Sequence, residues 1–184
     1  GSMHVGIIGM GDIGIETAKL LNAFGCRVSY NKRYPLSPSQ EKEYNVTYMS
    51  ADDILKNCDI VSLHIPSNKE TFEYMNEERF AMKGSILINT ARGEVVKNEA
   101  LLEALKSGQI AAAGLDVLAP EPVKEDNIVV KAMKNDGELA EKIVLAPHIG
   151  GLTVQTFDKI YGTIWSNFKK VCAGETPVNI VNHP

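Results

Sequence analysis

Cysteine is scarce in this chain: Cys26, Cys58 and Cys172 stand far apart, with no Cys-x-x-Cys among them. That spacing argues against a disulfide scaffold and against structural zinc, so no metal site is expected. Long apolar runs are missing too. None approaches the roughly 18 residues that a membrane-spanning helix needs, and no membrane partner is expected. Nor is there a basic excess. The 19 lysines and arginines face 23 aspartates and glutamates, a formal net charge of −4. Proteins that live on nucleic-acid phosphates usually carry the opposite balance, so no nucleic-acid partner is expected. No signal-peptide pattern opens the chain, and a reducing, cytoplasmic setting is the expectation. Internal repeats and low-complexity tracts are absent.

The composition is that of an ordinary globular domain, 44% hydrophobic and 23% charged over 184 residues. This length suffices for one domain with a real core and a little chain to spare. Gly1, Ser2 and Met3 read as the residue of a tag. From His4 onward, short apolar runs alternate with helical segments. His4–Gly9, Cys26–Tyr30, Val46–Tyr48, Asp59–Leu63, Ser85–Asn89, Ile110–Val117 and Lys142–Leu145 read as strands. Between the first two, Ile13, Ala18, Leu21 and Phe24 fall near one helix face, which Gly25 ends. Tyr34–Gln40, punctuated by Pro35 and Pro38, reads as loop. Ser50 caps a helix through Asn57, with Asp52 and Asp53 in its first turn where the dipole favours acids. Further helices are expected over Asn76–Ala81 and Asn98–Ser107, the second with Leu101, Leu102 and Leu105 on one stripe and Gly108 at its end. Lys124–Glu141 reads as a loop and short helix. Such alternation specifies an α/β fold, a doubly wound parallel sheet in three layers. Ile60–Leu63 and Ile86–Ile88 are nearly apolar throughout, as strands buried on both faces are.

The last segment differs. From Thr153 to about Cys172 the chain reads as one long helix. Val154, Phe157, Tyr161, Ile164, Trp165, Phe168 and Cys172 recur at three- and four-residue steps, an apolar face packed on something.

Gly9-Met10-Gly11-Asp12-Ile13-Gly14 matches G-x-G-x-x-G. It closes the first strand and opens the first helix, the context in which the pattern binds a dinucleotide. Gly9 permits the tight turn, Gly11 lets a pyrophosphate approach the backbone, and Gly14 lets helix and strand pack closely. The amides of Asp12 and Ile13 would face the phosphates at the positive end of the helix. A methyl-donor nucleotide is the competing ligand. The motif's second mark is an acid at the end of the second strand, on the ribose 2′-hydroxyl of NAD. Here the end reads Tyr30-Asn31-Lys32-Arg33, and no Asp or Glu occurs between Glu16 and Glu41. Two cations and an amide suit a 2′-phosphate, so NADP(H) is expected over NAD(H). The bland alternative makes Lys32 and Arg33 solvated loop charges beside NAD, with Asn31 on the ribose.

Three more stretches sit at expected strand ends: Asn89-Thr90-Ala91-Arg92-Gly93, Gly114-Leu115-Asp116-Val117 with Glu121-Pro122 beyond, and Pro147-His148-Ile149-Gly150-Gly151. Ligands gather at the carboxyl ends of strands in such sheets. Singly, an Arg, a Glu and a His have bland readings; delivered together, they form a candidate active site.

With these motifs, and with Leu63-His64-Ile65-Pro66 and the closing Gly174–Asn179, the chain resembles the coenzyme-binding domain of the D-isomer-specific 2-hydroxyacid dehydrogenases, from about His4 to Asn182. That family includes D-lactate, hydroxypyruvate/glyoxylate and phosphoglycerate dehydrogenases. The resemblance implies a Rossmann-type domain over 4–151, with 152–184 as a helix and tail returning toward a substrate domain. It implies an oxidoreductase that moves hydride between a nicotinamide cofactor and a 2-oxo or 2-hydroxy acid. Arg92 would clamp the substrate carboxylate, His148 would exchange the proton, and Glu121 would bond the other ring nitrogen of His148. Asp116, Thr90 and Ala91 would hold the nicotinamide end, with Gly150 nearby. His64, Ile65, Pro66 and Thr71 would line the adenine-ribose side. The formate dehydrogenases of this superfamily have Gln where Glu121 stands, which argues against formate. The family's substrate domain comes mostly from chain before the glycine-rich strand, and only tag-like residues precede His4. An excised or truncated domain, poor in turnover alone, is therefore expected, with the aromatic stripe covered by a second copy of the chain in a homodimer or repacked on its own domain. The rival reading is a nucleotide-sensing, co-repressor-like module without turnover.

Overall fold

A computed structural model describes residues 3–80, 82 and 84–181. The expected strands form: β1 (His4–Ile8), β2 (Arg27–Asn31), β3 (Thr47–Tyr48), β4 (Ile60–Leu63), β5 (Ser85–Asn89), β6 (Ile110–Leu115) and β7 (Ile143–Leu145). They make one seven-stranded sheet in the order β3-β2-β1-β4-β5-β6-β7, every pair parallel. Parallel neighbours need crossovers, and helices supply most of them. These are α1 (Asp12–Ala23), α2 (Pro38–Tyr44), α3 (Ala51–Asn57), α4 (Asn98–Ser107), α5 (Ile128–Asn135) and α6 (Gly137–Lys142). Strand order reverses at β1, with β2 on one side and β4 on the other. That switch point is where a crevice opens in such sheets.

Both faces of the sheet are covered. Ile7 and Ile8 are neighbours on β1 and so point to opposite faces. Ile7 packs in a core with Ala18 of α1, Val28 and Tyr30. Ile8 joins a larger core with Ile54 of α3, Leu63, Leu87, Leu101 and Val129.

Four local expectations need correction. Of the face expected for α1, Ala18 and Leu21 pack, joined by Gly14, while Ile13 and Phe24, the residue just past the helix, are 70% and 84% exposed. Gly14 turns that face inward, since a Cβ there would come within 2.5 Å of the Gly9 carbonyl oxygen. The stretch read as loop around Pro38 enters α2 instead. Ser37 accepts from the Gln40 amide and the Gln40 side chain accepts from the Ser37 amide, a capping box with Pro38 at the first helical position. The helix expected from Asn76 is a run of turns through Phe80, with Ala81 outside the described residues. Met75, Phe80 and Met82 are all buried. Their spacing is not helical, so core burial rather than a helical face sets this segment. Lys124–Glu141 holds two helices, α5 and α6, whose caps Asn127 and Asp136 accept backbone amides.

The chain divides into two compact units, one ending at His148 and one beginning at Ile149. The second contains α7 (Val154–Cys172), capped by Thr153. Within it Trp165 and Phe168 stack at 5.4 Å and Phe157 and Tyr161 at 6.1 Å. Asn167 exchanges two hydrogen bonds with the Val178 backbone, tying the tail to the helix. No residue of α7 is buried. Phe157, Tyr161, Ile164, Trp165 and Phe168 of the expected stripe are all exposed.

Candidate functional site

The residues read as functional lie just past the carboxyl ends of parallel strands. Gly9–Gly14 follows β1, Asn31–Arg33 ends β2, and His64–Pro66 follows β4. Thr90–Arg92 follows β5, Asp116 and Glu121 follow β6, and Pro147-His148 follows β7. Two cavities open among them.

The first, about 530 Å³, lies between the β1, β2 and β4 ends. Gly9, Gly11, Asn31, Lys32 and Arg33 line it on one side, and His64, Ile65, Pro66 and Thr71 on the other. The backbone ties these ends together. The Gly9 amide donates to the Asn31 carbonyl at 3.0 Å, and the His64 amide to the Ile8 carbonyl at 2.7 Å. Gly9 has φ +104°, and a Cβ there would collide with the His64 carbonyl. Only glycine fits this turn. At Gly11, by contrast, a Cβ would meet nothing within 4 Å. The loop backbone there is open to a ligand, at the N-terminus of α1. An open glycine backbone at a helix N-terminus, beside two cations and apolar walls, fits a dinucleotide. The Asn31 side chain donates to the Met49 carbonyl at 2.9 Å, so its amide is committed to the fold. Burial lowers the pKa of His64, whose Nε2 meets Ser62 Oγ at 2.9 Å. That burial disfavours the charged form of the ring beside this cavity. Arg33 Nη1 stands 3.5 Å from Glu70 Oε2, a residue that also lines the cavity. Sequence reading missed Glu70, because nothing local connects the β2 end with the turn after β4.

The second cavity, also about 530 Å³, is lined by Asp116, Leu118, Glu121, Pro122, Ala146 and His148, among others. Here the structure brings two of the expected residues together. His148 Nδ1 lies 3.0 and 3.1 Å from the two carboxylate oxygens of Glu121. With Nδ1–H donating to Glu121, Nε2 is the nitrogen available for exchange with a ligand. His148 sits at φ +55°, in the left-handed region that non-glycine residues seldom occupy. Its amide donates to the Asp116 carbonyl at 2.8 Å, which holds the β7 exit against the β6 exit.

Arg92 lines neither cavity. It is exposed, and its guanidinium donates to the Ala91 carbonyl at 2.7 Å. The turn that carries it is held from within. Asn89, fully buried, accepts from the Ala91 amide at 3.0 Å and donates to the Arg92 carbonyl at 2.9 Å. Gly93 lets this turn meet the β6 exit, since a Cβ there would collide with the Leu118–Ala119 backbone. Thr90, Asp12, Ile13 and Gly14 also stand outside both cavity linings, and Gly150 belongs to the second unit. Among the described residues, no cluster of His, Cys, Asp or Glu could hold a metal ion, and no helix is long and apolar enough to cross a membrane.

The parallel sheet reversing at β1 and the glycine-rich turn beneath α1 define a Rossmann-type nucleotide-binding domain. Residues 1–150 match the model of the D-isomer specific 2-hydroxyacid dehydrogenase NAD binding domain. The chain belongs to that family, whose members are oxidoreductases. A glyoxylate reductase of Thermococcus onnurineus is 38% identical over 180 residues, covering 97% of this chain and 51% of that protein. The 4-methyl-2-oxopentanoate reductase A of Aspergillus oryzae is 41% identical over 154 residues, 83% of this chain and 44% of its own. The crystal structure of D-lactate dehydrogenase with NAD+ from Lactobacillus jensenii superposes with a TM-score of 0.85 at 32% identity, covering 98% of this chain and 56% of that one. The chain thus spans about half the length of the curated relatives it matches.

Proposed function

We propose that this chain is the coenzyme domain of a D-2-hydroxyacid dehydrogenase that holds a nicotinamide dinucleotide, with NADP(H) preferred over NAD(H). The preference is supported by Lys32 and Arg33 on the wall of the first cavity, where a 2′-phosphate would meet them. When bound, the cofactor supplies or takes up the hydride exchanged with a 2-oxo or 2-hydroxy acid. His148 holds the exchangeable proton at Nε2 and moves it to or from the substrate oxygen. Glu121 accepts from Nδ1 and so fixes the tautomer and the orientation of the ring. Arg92 binds the substrate carboxylate, its guanidinium leaving the Ala91 carbonyl to do so. Asp116, Thr90, Ala91 and Gly150 border the nicotinamide end.

The observation that carries this reading is the His148–Glu121 pair, a proton carrier with its orienting carboxylate in a cavity at the sheet's carboxyl edge. A merely nucleotide-sensing domain has no use for that pair. The dinucleotide domain is taken as 4–151, and 152–184 as the helix and tail that turn back toward a substrate domain in the complete protein. A second copy of the chain, in a homodimer, is proposed to cover the apolar face of α7, and a cytoplasmic setting is proposed on the same footing. The chain alone is expected to bind cofactor and to turn over poorly, because substrate contacts come from the other domain.

Calorimetric titration with NADPH and NADH tests this. Tighter NADPH binding that disappears in Lys32→Ala/Arg33→Ala supports the 2′-phosphate reading. Equal or tighter NADH binding would remove it and leave the dinucleotide site standing. Robust reduction of glyoxylate or hydroxypyruvate by the chain alone would sink the expectation of poor turnover.

A further inference from the structure

We propose that Glu70 is a specificity-determining residue of the first cavity. Its carboxylate competes with a cofactor 2′-phosphate for the cations at the end of β2, and so holds down the preference for the phosphorylated dinucleotide. This rests on reading the cavity as the adenine-ribose end of a dinucleotide site.

The sequence places no acid at the end of β2, and the fold returns one from elsewhere. Glu70 comes from the turn after β4, lines the same cavity as Lys32 and Arg33, and brings Oε2 to 3.5 Å from Arg33 Nη1. The turn that presents it is tightly bonded. Asn68 Oδ1 accepts from the Glu70 and Thr71 amides at 2.9 and 3.2 Å. Thr71 Oγ1 donates to the Pro66 carbonyl at 2.5 Å. The Glu70 backbone is therefore held at the cavity wall, within side-chain reach of Arg33.

The side chains of Arg33 and Glu70 are 72% and 71% exposed. A pair so exposed adds little to folding stability. Its charge matters when a second anion arrives. A phosphate taken up by Arg33 would stand within a few ångströms of Glu70 and repel it, and Arg33 would be drawn away from its present partner. In high dielectric and moderate salt, that opposition amounts to a factor of about three to ten in affinity. A cofactor with a plain 2′-hydroxyl brings no charge to this point and escapes most of it. Glu70 is thus the counterweight to Lys32 and Arg33.

The test is calorimetric titration of the whole chain with NADPH and with NADH, comparing wild type, Glu70→Gln and Lys32→Ala/Arg33→Ala. Glu70→Gln keeps the side-chain size and removes only the charge; circular dichroism and the urea midpoint establish that it folds. The expected result is NADPH binding tightened about three- to tenfold with NADH changed by less than about twofold, and a gain that shrinks at high salt. If both cofactors bind and Glu70→Gln leaves their affinity ratio unchanged, the role of Glu70 is overturned while the dinucleotide site stands. If neither cofactor binds wild type, the reading of the cavity falls, and the role of Glu70 with it.

Discussion

Two glycines of one loop are expected to respond oppositely to the same substitution. At Gly9 the φ of +104° is strained for any residue with a Cβ, and the added carbon collides with the backbone carbonyl of His64. The conformational term is about 1–3 kcal/mol. Overpacking against a backbone that is bonded into the sheet adds about 1–3 kcal/mol more. Gly9→Ala should therefore cost about 2–6 kcal/mol, a large share of the roughly 5–15 kcal/mol available to a domain. At Gly11 the backbone is extended, and a Cβ meets nothing within 4 Å. Alanine is a poorer N-cap than glycine by about 0.5–1 kcal/mol, but it restricts the unfolded chain by a similar amount. Gly11→Ala should leave stability within about 0.5 kcal/mol, because those two terms oppose each other. It should nevertheless weaken NADH and NADPH binding at least about tenfold, because the methyl stands where the pyrophosphate must approach. Urea denaturation and calorimetric titration of both variants measure the two effects separately. A Gly9→Ala variant as stable as wild type would refute the collision argument. A Gly11→Ala variant that binds normally would refute the assignment of the loop to phosphate.

Asn89→Ala removes both side-chain bonds that hold the Thr90–Arg92 turn and leaves the Ala91 amide without its partner. A loss of about 2–4 kcal/mol in urea denaturation is expected, and less than about 0.5 kcal/mol would show that the turn holds itself. Tyr30→Phe removes a buried hydroxyl that donates to Glu41 at 2.8 Å and accepts from the Leu36 amide at 2.8 Å. A cost of about 1–3 kcal/mol is expected, and a neutral result would mean that water replaces the hydroxyl. Acid should weaken the fold through His4, whose pKa is pushed below the ordinary 6.5 by burial first and by the Arg27 charge second. The unfolded state then binds the proton more tightly than the folded one. The stabilisation is complete above the unfolded pKa and is lost as pH falls through 6.5 toward the folded value. His64, lowered by burial alone, acts in the same direction. Urea midpoints should fall from pH 8 to pH 5.5 (about the span in which histidine titrates), and less steeply in His4→Gln. A flat wild-type profile would contradict this.

How much was readable before the structure depends on the reach of the interactions. Strands such as Ile60–Leu63 are legible because a run buried on both faces needs no partner to be named. The glycine loop is legible because the tight turn, the open backbone and the close helix packing all lie within six consecutive residues. Helix α2 is legible as well, in Ser37-Pro38-Ser39-Gln40, once the proline is taken as a first helical residue rather than a break. The turns from Asn76 to Phe80 were not, because Met75, Phe80 and Met82 obey the core and no local period. In α1 the period is half right: Ala18 and Leu21 of the expected face do pack, but Ile13 and Phe24 at its ends stay exposed, because Gly14 rather than Ile13 sets the close approach to the sheet.

By itself, the sequence determined the α/β alternation, the strand boundaries to within a residue or two, the glycine-rich turn and the residues that stand at the strand ends. These follow from local apolar patterning and from backbone freedom at glycine, which neighbours in the chain decide among themselves. The tertiary structure alone decided which of those residues meet. It turned His148 toward Glu121, left Arg92 outside both cavities, committed the Asn31 amide to Met49, and set Glu70 opposite Arg33. Each of these depends on parallel strands bringing distant exits to one edge of the sheet. The charge of a site is a sum over all chain segments that reach it, and no stretch of sequence holds that sum.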